Sequence, residues 1–302
     1  MTSPVPGSQT SRTAAVVVHH RAYPGVLRTI DSLVAQGIDP SAIVVVDNSE
    51  VGSIATSLAE NLPHGVTLLV VPNGGYAASA NVGIEHVLST LPERPAEILV
   101  STHETIAGPG ALDALRAALD ADASLGVVGP ALLNAEQSTD TLWSTGGVRT
   151  ELTRRAKHAG HGTPLPQADA PLSVVERDWL DGSFCLYRVA ALEQRRLEEG
   201  YFLYFEEVDM HWSLQRDGWR VACVTSVWVE QSSHGMPPFY YGRNLRLIQR
   251  RHGTARSRLL AAPEALALIG REVLQRHRPW WHVRDFLQGW FAWRGGVARR
   301  RR

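Results

Sequence analysis

Five short runs of apolar and largely β-branched residues divide the first half of the chain: AAVVVH at 14–19, AIVVVD at 42–47, GVTLLVV at 65–71, EILVS at 97–101 and LGVVGPALL at 125–133. Each has strand length and almost no polar interruption, as expected of strands covered on both faces. The segments between them, 23–37, 53–62, 76–91 and 109–122, instead carry apolar residues at helical spacing. This alternation predicts an α/β fold, a mostly parallel, Rossmann-like sheet with helices on both faces. Ligands of such sheets bind beyond the carboxyl ends of the strands, so the polar residues after each run are the candidates. They are His19, His20 and Arg21, then Asp47, Asn48 and Ser49, then Asn73, Gly74 and Gly75, then Thr102, His103 and Glu104. No Gly-X-Gly-X-X-Gly follows the first run, which argues against a dinucleotide site.

From about 140 to 178 the periodicity dissolves into a polar stretch with Gly and Pro, read as a long loop or hairpin insertion of the kind that forms lids and binding loops. It returns in WLDGSFCLYRVAALEQ, YFLYFEEVDMHWSLQRDGW and RVACVTSVWVEQSSHG, and from Tyr240 the chain is Arg-rich and mostly helical in pattern.

Composition narrows the class. The 302 residues can bury a sizeable core. The polar N-terminus MTSPVPGSQTSRT lacks the apolar centre of a signal peptide, and no run of about eighteen apolar residues occurs, so a cytoplasmic protein without a membrane span is expected. Cys185 and Cys223 sit inside apolar stretches and read as buried free thiols. The formal net charge of zero hides an asymmetry, because residues 242–302 hold fifteen Arg against three acids.

The motifs VVVHHR, VVVDNSE, NGGYAASANVG, STHET, WLDGSFCLYR, YFLYFEEVDMHWSLQRDGW and SSH, in that order over about residues 14–252, resemble family 2 of the glycosyltransferases. These are inverting enzymes of GT-A fold, and the likeness is to the rhamnosyl- and galactofuranosyltransferase-like branch. The polar start at 1–12 reads as disordered, the resemblance implies a GT-A domain at 13–252, and the Arg- and Trp-rich remainder at 253–302 reads as a basic helical extension. Within the domain, a nucleotide-sugar half at 13–135 would precede an acceptor half at 136–252. It also implies transfer of a sugar from a UDP- or dTDP-sugar to a hydroxyl acceptor, in cell-envelope polysaccharide or glycolipid assembly. A non-catalytic nucleotide-sugar binder is the alternative. A nucleotidyltransferase would want a Gly-rich basic loop after the first strand, which HHRAYPG does not supply.

On the donor side the resemblance points to His19, Arg21, Asp47, Asn48, Asn73, Gly75, Tyr76 and Asn81, with Arg243 as a diphosphate contact. Asp47 would accept the imide N–H of a pyrimidine, or else cap the following helix. The acceptor side would hold Asp181, Gly182 and Glu206. The general base, a carboxylate that takes the acceptor hydroxyl's proton, aligns with Glu207, with Asp209 second. Two departures from the family stand out, Glu207 where aspartate is usual and Ser213 where arginine is frequent. The family's acidic metal motif falls on Thr102, His103 and Glu104, leaving one carboxylate. Glu104 with His234 would then hold Mn2+ or Mg2+, unless Arg and His side chains neutralise the diphosphate in its place.

Beyond the domain, Trp280, Trp281, Phe286, Leu287, Trp290, Phe291 and Trp293 interleave with arginines. Such a pattern suits an amphipathic helix on an anionic membrane surface, giving peripheral association, or packing on the domain or on a homodimer partner. Nucleic acid is not expected as a partner. A saccharide or lipid-linked acceptor is.

Overall fold

The structure, a computed structural model, describes residues 12–134, 141–167, 171–232, 235–275 and 279–292. The lead-in at 1–11, His234, Trp293 and the last four arginines fall outside the described residues.

The predicted alternation is present as β1 (Thr13–His19), α1 (Gly25–Ala35), β2 (Ile43–Asp47), α2 (Gly52–Asn61), β3 (Thr67–Val70), α3 (Tyr76–Thr90), β4 (Glu97–Thr102), a short β5 (Thr105–Ala107), α4 (Ala111–Ala121) and β6 (Leu125–Asn134). β3, β2, β1 and β4 pair in parallel, with His19 level with Asp47 and Val18 level with Thr102. Every residue of β1, β2 and β6 is buried, which is why those runs show no alternation. α3 lies close on the sheet because Gly83 has no Cβ; one built there would stand 2.3 Å from Val16 Cγ1.

Beyond β4 the sheet is mixed. The insertion supplies a hairpin, β7 (Gly147–Arg149) with β8 (Ala156–His158), and β9 (Val174–Glu176) on the flank. The chain then runs back as β10 (Phe184–Arg188), antiparallel between β4 and β6, followed by α5 (Val189–Gln194). After α6 (Glu206–Arg216), β11 (Arg220–Gln231) lies parallel to β6 and antiparallel to β5. The order β3-β2-β1-β4 reverses direction at β1, so the polar ends of β1, β2 and β4 open on the switch-point crevice.

α7 (Pro238–His252), α8 (Ala255–Gln275) and α9 (Trp281–Phe291) complete the described chain. α9 packs on α7 at backbone distance: a Cβ on Gly242 would lie 2.1 Å from the Phe286 carbonyl oxygen, and one on Gly289 would lie 1.9 Å from that of Phe239. Phe286 and Leu245 therefore join Trp212, Tyr201 and Phe205 in a second apolar cluster beneath α6. Among the described residues no helix is long and apolar enough to cross a membrane.

Candidate active site

The strand ends are tied together before any ligand arrives. His19 Nδ1 donates to Asp47 Oδ1 at 2.8 Å, and His19 Nε2 accepts the N–H of Ala22 at 3.0 Å. Both side chains are buried, and burial holds the imidazole below its ordinary value, in line with this neutral tautomer. Asp47 Oδ1 also accepts from the backbone and hydroxyl of Ser49, whereas Oδ2 is buried with no partner among the described residues. One step outward, His20 Nδ1 donates to Asn48 Oδ1 at 2.8 Å, Asn48 Nδ2 to Ser79 Oγ at 2.8 Å, and Ser79 Oγ to the Gly75 carbonyl at 3.0 Å. This chain of hydrogen bonds fixes the loop that opens α3. Asn73 Oδ1 closes the same loop by accepting the Gly75 N–H at 3.1 Å.

Gly75 is required by close approach as well as by its φ of +98°. A Cβ there would fall 2.0 Å from the Phe202 carbonyl oxygen, which accepts the N–H of Tyr76 at 2.8 Å. Phe202, Tyr204 and Phe205 all have positive φ, an unfavourable conformation for bulky residues concentrated just before the acids of α6. Tyr76 reaches across to donate to the Gly182 carbonyl at 2.7 Å, and Gly182 faces Glu207, where a glycine Cβ would approach the Glu207 Cβ to 3.2 Å. The start of α3, the 202–205 run and the 181–183 turn thus converge on one carboxylate.

The three acids of α6 have three different environments. Glu207 is half-buried and lines the cleft; burial first, then the charges of Glu206 and Asp181, push its carboxyl well above the ordinary range. Glu206 is buried, its carboxyl pushed up to about 7 by burial, and its Oε2 has no partner among the described residues. Asp209 points the other way. It accepts from Arg251 Nε at 2.6 Å, Arg251 Nη2 at 3.1 Å, His252 Nε2 at 2.7 Å and the Tyr201 hydroxyl at 3.2 Å. Burial would raise it, but these partners hold it below the usual carboxylate range. Expected as the second candidate base, Asp209 is instead an anchor between α6 and α7, outside the cleft.

The cleft is a cavity of about 530 Å³ bounded by His20, Asn48, Asn73, Gly75, Tyr76 and Glu104 on the strand-end side. Asp181, Gly182, Glu206 and Glu207 form its floor. Its outer wall is aromatic and comes from the insertion and the residue that follows it: the His158 ring lies 5.5 Å from Trp143 and 4.9 Å from Trp179. His158 Nε2 donates to Asp181 Oδ1 at 2.7 Å and Ser144 Oγ to Oδ2 at 2.7 Å. Burial opposes the charge on Asp181, yet His158 and Ser144 hold its carboxyl below the ordinary value. Beneath this turn, His211 accepts the Leu180 N–H at 3.1 Å and contacts the Tyr187 hydroxyl at 2.9 Å; burial lowers it to about 3, so it is a neutral support.

Five donor-side expectations, His19, Arg21, Asp47, Asn81 and Arg243, do not line the cavity. Arg243 donates to the carbonyls of Tyr201 at 2.9 Å and Gly200 at 2.6 Å, so its guanidinium holds the backbone ahead of Phe202 and does not face the cleft. Asn81 binds Leu197 through both its amide groups and belongs to a shallower surface basin. Arg21 lies outside the cavity, donating from Nε to the Ser49 carbonyl at 3.2 Å. His19 and Asp47 are inside the fold, as described.

Glu104 is exposed at the cavity edge, with the buried hydroxyls of Thr102 and Ser183 also lining it and lacking partners among the described residues. His103 turns inward, its Nδ1 3.1 Å from the Val18 carbonyl oxygen, and burial takes it down to about 4. His234, expected to share a metal with Glu104, lies outside the described residues. Among the described residues no three His, Cys, Asp or Glu side chains group around one point. Glu104, a single carboxylate on a cavity that the Thr102 and Ser183 hydroxyls also line, fits a hard divalent ion that takes most of its shell from phosphate and water.

Residues 11–250 match the model of a family described as Glycosyltransferase like family 2. Two curated relatives, the N-acetylglucosaminyl-diphospho-decaprenol L-rhamnosyltransferases of Mycobacterium tuberculosis strains CDC 1551 / Oshkosh and ATCC 25618 / H37Rv, are each 25% identical over 303 residues. The match covers 92% of this chain and 90% of each relative. Among solved structures, GalNAc-T7 with UDP, GalNAc and Mn2+ superposes with a TM-score of 0.58 at 12% identity. That match covers 80% of this chain and 48% of the other, and is a likeness of fold.

Proposed function

The chain belongs to glycosyltransferase like family 2, and from that premise we propose that it moves a sugar, with inversion, from a UDP- or dTDP-sugar to a hydroxyl of a lipid-linked saccharide in cell-envelope assembly. The observation that carries the reading is Glu207, a half-buried carboxylate of raised proton affinity held against Gly182 in the lining of the cavity. The two rhamnosyltransferase relatives, named for a diphospho-decaprenol-linked acceptor, support a deoxyhexose donor and a polyprenyl-diphosphate-linked acceptor.

The nucleotide would enter at the ends of β1, β2 and β4. Asp47 Oδ2 needs a donor, and the imide N–H of uracil or thymine would supply one. Because Asp47 is only 1% exposed, the base must displace part of its cover. Asn48, Asn73 and the backbone at Gly75 would flank the ribose and diphosphate. Glu104 would hold a Mn2+ or Mg2+ ion whose charge offsets that developing on the leaving diphosphate. The acceptor sugar would rest its C–H face on Trp143 and His158, with Asp181 and Glu206 bordering its hydroxyls. Its attacking oxygen forms a bond to the anomeric carbon as the bond to the diphosphate breaks, and its proton passes to Glu207. No covalent enzyme intermediate is needed.

Donor turnover measured across UDP- and dTDP-sugars, with and without EDTA, tests the reading. Turnover of a dTDP- or UDP-deoxyhexose that EDTA suppresses is the expected result; no turnover of any nucleotide-sugar, with donor binding retained, would make the protein a binder.

A further inference from the structure

The outer face of α9 is unused by the transfer reaction. Trp280 is 70% exposed, Leu287 36% and Phe291 67%. With Arg284 they follow the spacing i, i+4, i+7, i+11, which is one stripe of a helix. Trp281 is 41% exposed beside them, and Leu274, 81% exposed, precedes the stripe by six residues. The Arg284 guanidinium stands 5.8 Å from the centre of the Trp280 ring. The opposite face of α9 carries the buried Asp285, Phe286 and Gly289, and Gly289 touches the α7 backbone. The helix therefore cannot roll to hide its apolar stripe without opening that contact. Two tryptophans and a phenylalanine left together in water mark an interaction surface.

Charge selects the occupant. Residues 242–302 carry fifteen Arg and three acids, so this end of the chain brings strong positive charge to whatever it meets. A second copy of the same face would meet its own charge. Exposed Trp and Phe bordered by arginine match the interfacial layer of an anionic bilayer, where the rings sit among headgroups and the guanidinium groups meet lipid phosphate. The face is also connected to the cleft: Phe286 on its inner side lies 5.7 Å, ring to ring, from Tyr241, which lines the cavity.

We propose that the Trp280–Arg284–Leu287–Phe291 face of α9 docks the protein on an anionic lipid surface. The docking does not depend on the transfer reaction, although it would bring the cavity to an acceptor held in the membrane. The full chain is tested by flotation with vesicles of phosphatidylcholine alone and of phosphatidylcholine mixed with phosphatidylglycerol, at low and high salt. It should float with the anionic vesicles, less so in high salt, and brominated lipid should quench its tryptophan fluorescence. The triple variant Trp280→Ser, Trp281→Ser, Phe291→Ser should partition at least about tenfold more weakly, with unchanged donor turnover. Should the triple variant lose thermal stability, Trp280→Ser and Phe291→Ser singly, both at highly exposed positions, carry the same test with smaller effects. Flotation of the variants equal to that of the wild type overturns the proposal. So does a wild-type dimer, in the absence of lipid, that these substitutions dissociate. Loss of flotation with donor turnover intact separates this proposal from the glycosyltransferase reading.

Discussion

Tyr76 donates its phenolic hydrogen to the carbonyl of Gly182 at 2.7 Å, joining the helix that follows the donor loop to the turn that faces Glu207. Tyr76→Phe removes this one bond and leaves the ring in place. The part-buried carbonyl then lacks its donor, a loss of about 1 kcal/mol. If the bond positions the 181–183 turn, kcat should fall several-fold while KM for the donor changes little. A KM effect alone would show that Tyr76 acts only on donor binding.

Glu207 and Asp209 are separated by the outcomes of their neutral variants. Glu207→Gln keeps size and polarity but cannot take a proton, so transfer should fall by about 10²- to 10⁴-fold with donor affinity retained. Asp209→Asn should act on folding instead, because it takes the carboxylate from His252 and leaves Arg251 only Glu198. Asp209 is buried but Arg251 is 37% exposed, so solvent screening brings the cost down to about 1–3 kcal/mol, read as a lowered denaturation midpoint. Full transfer activity in Glu207→Gln would remove it from the role of base.

The pH profile should carry the mark of the adjacent acids. A base must be deprotonated, and burial together with the Glu206 charge raises Glu207, so activity should still be climbing above the ordinary carboxylate range. Glu206→Gln removes the neighbouring charge and should shift that limb to lower pH. Stability moves in the opposite sense with pH. Glu206 is raised from 4.5 to about 7, so the folded state binds the extra proton. The stabilisation is complete below pH 4.5 and lost as pH rises through about 7. Glu206→Gln should therefore melt higher than the wild type at pH 8 and about equally at pH 4; a gap independent of pH would reject the assignment.

The strand ends were legible because strands covered on both faces write themselves as unbroken apolar runs, and the next residues are then placed by topology. Direction is not written that way. FCLYR reads as a strand, yet its antiparallel place between β4 and β6 depends on where the insertion returns the chain. Glu207 and Asp209 look equivalent in sequence, but two residues are about 200° apart on a helix, so one faces the cleft and the other Arg251. Arg243 looked available for phosphate because nothing in YYGRNLR reveals that the turn before Phe202 presents carbonyls to it. Trp143 and His158 were missed as a wall because the insertion has no periodicity, and Trp179 because it opens the periodic WLDGSFCLYR. The signal of Trp143 and His158 was only aromatic residues in a polar, lid-like stretch.

The reduced acidic motif gives the last prediction. Glu104 is exposed at the cavity edge, and the buried Thr102 hydroxyl beside it lacks a partner among the described residues. A single carboxylate leaves most of an ion's coordination to phosphate and water, so the ion should bind weakly to the protein alone and more tightly with nucleotide diphosphate present. Titration of Mn2+ followed by electron paramagnetic resonance, with and without UDP or dTDP, reads this directly and needs no turnover. Glu104→Gln should abolish the nucleotide-dependent increase in Mn2+ affinity while leaving the melting temperature within about 1 °C, since exposed side chains contribute little to stability. Equal Mn2+ binding by the variant would take the metal away from Glu104 and leave cationic side chains to neutralise the leaving diphosphate.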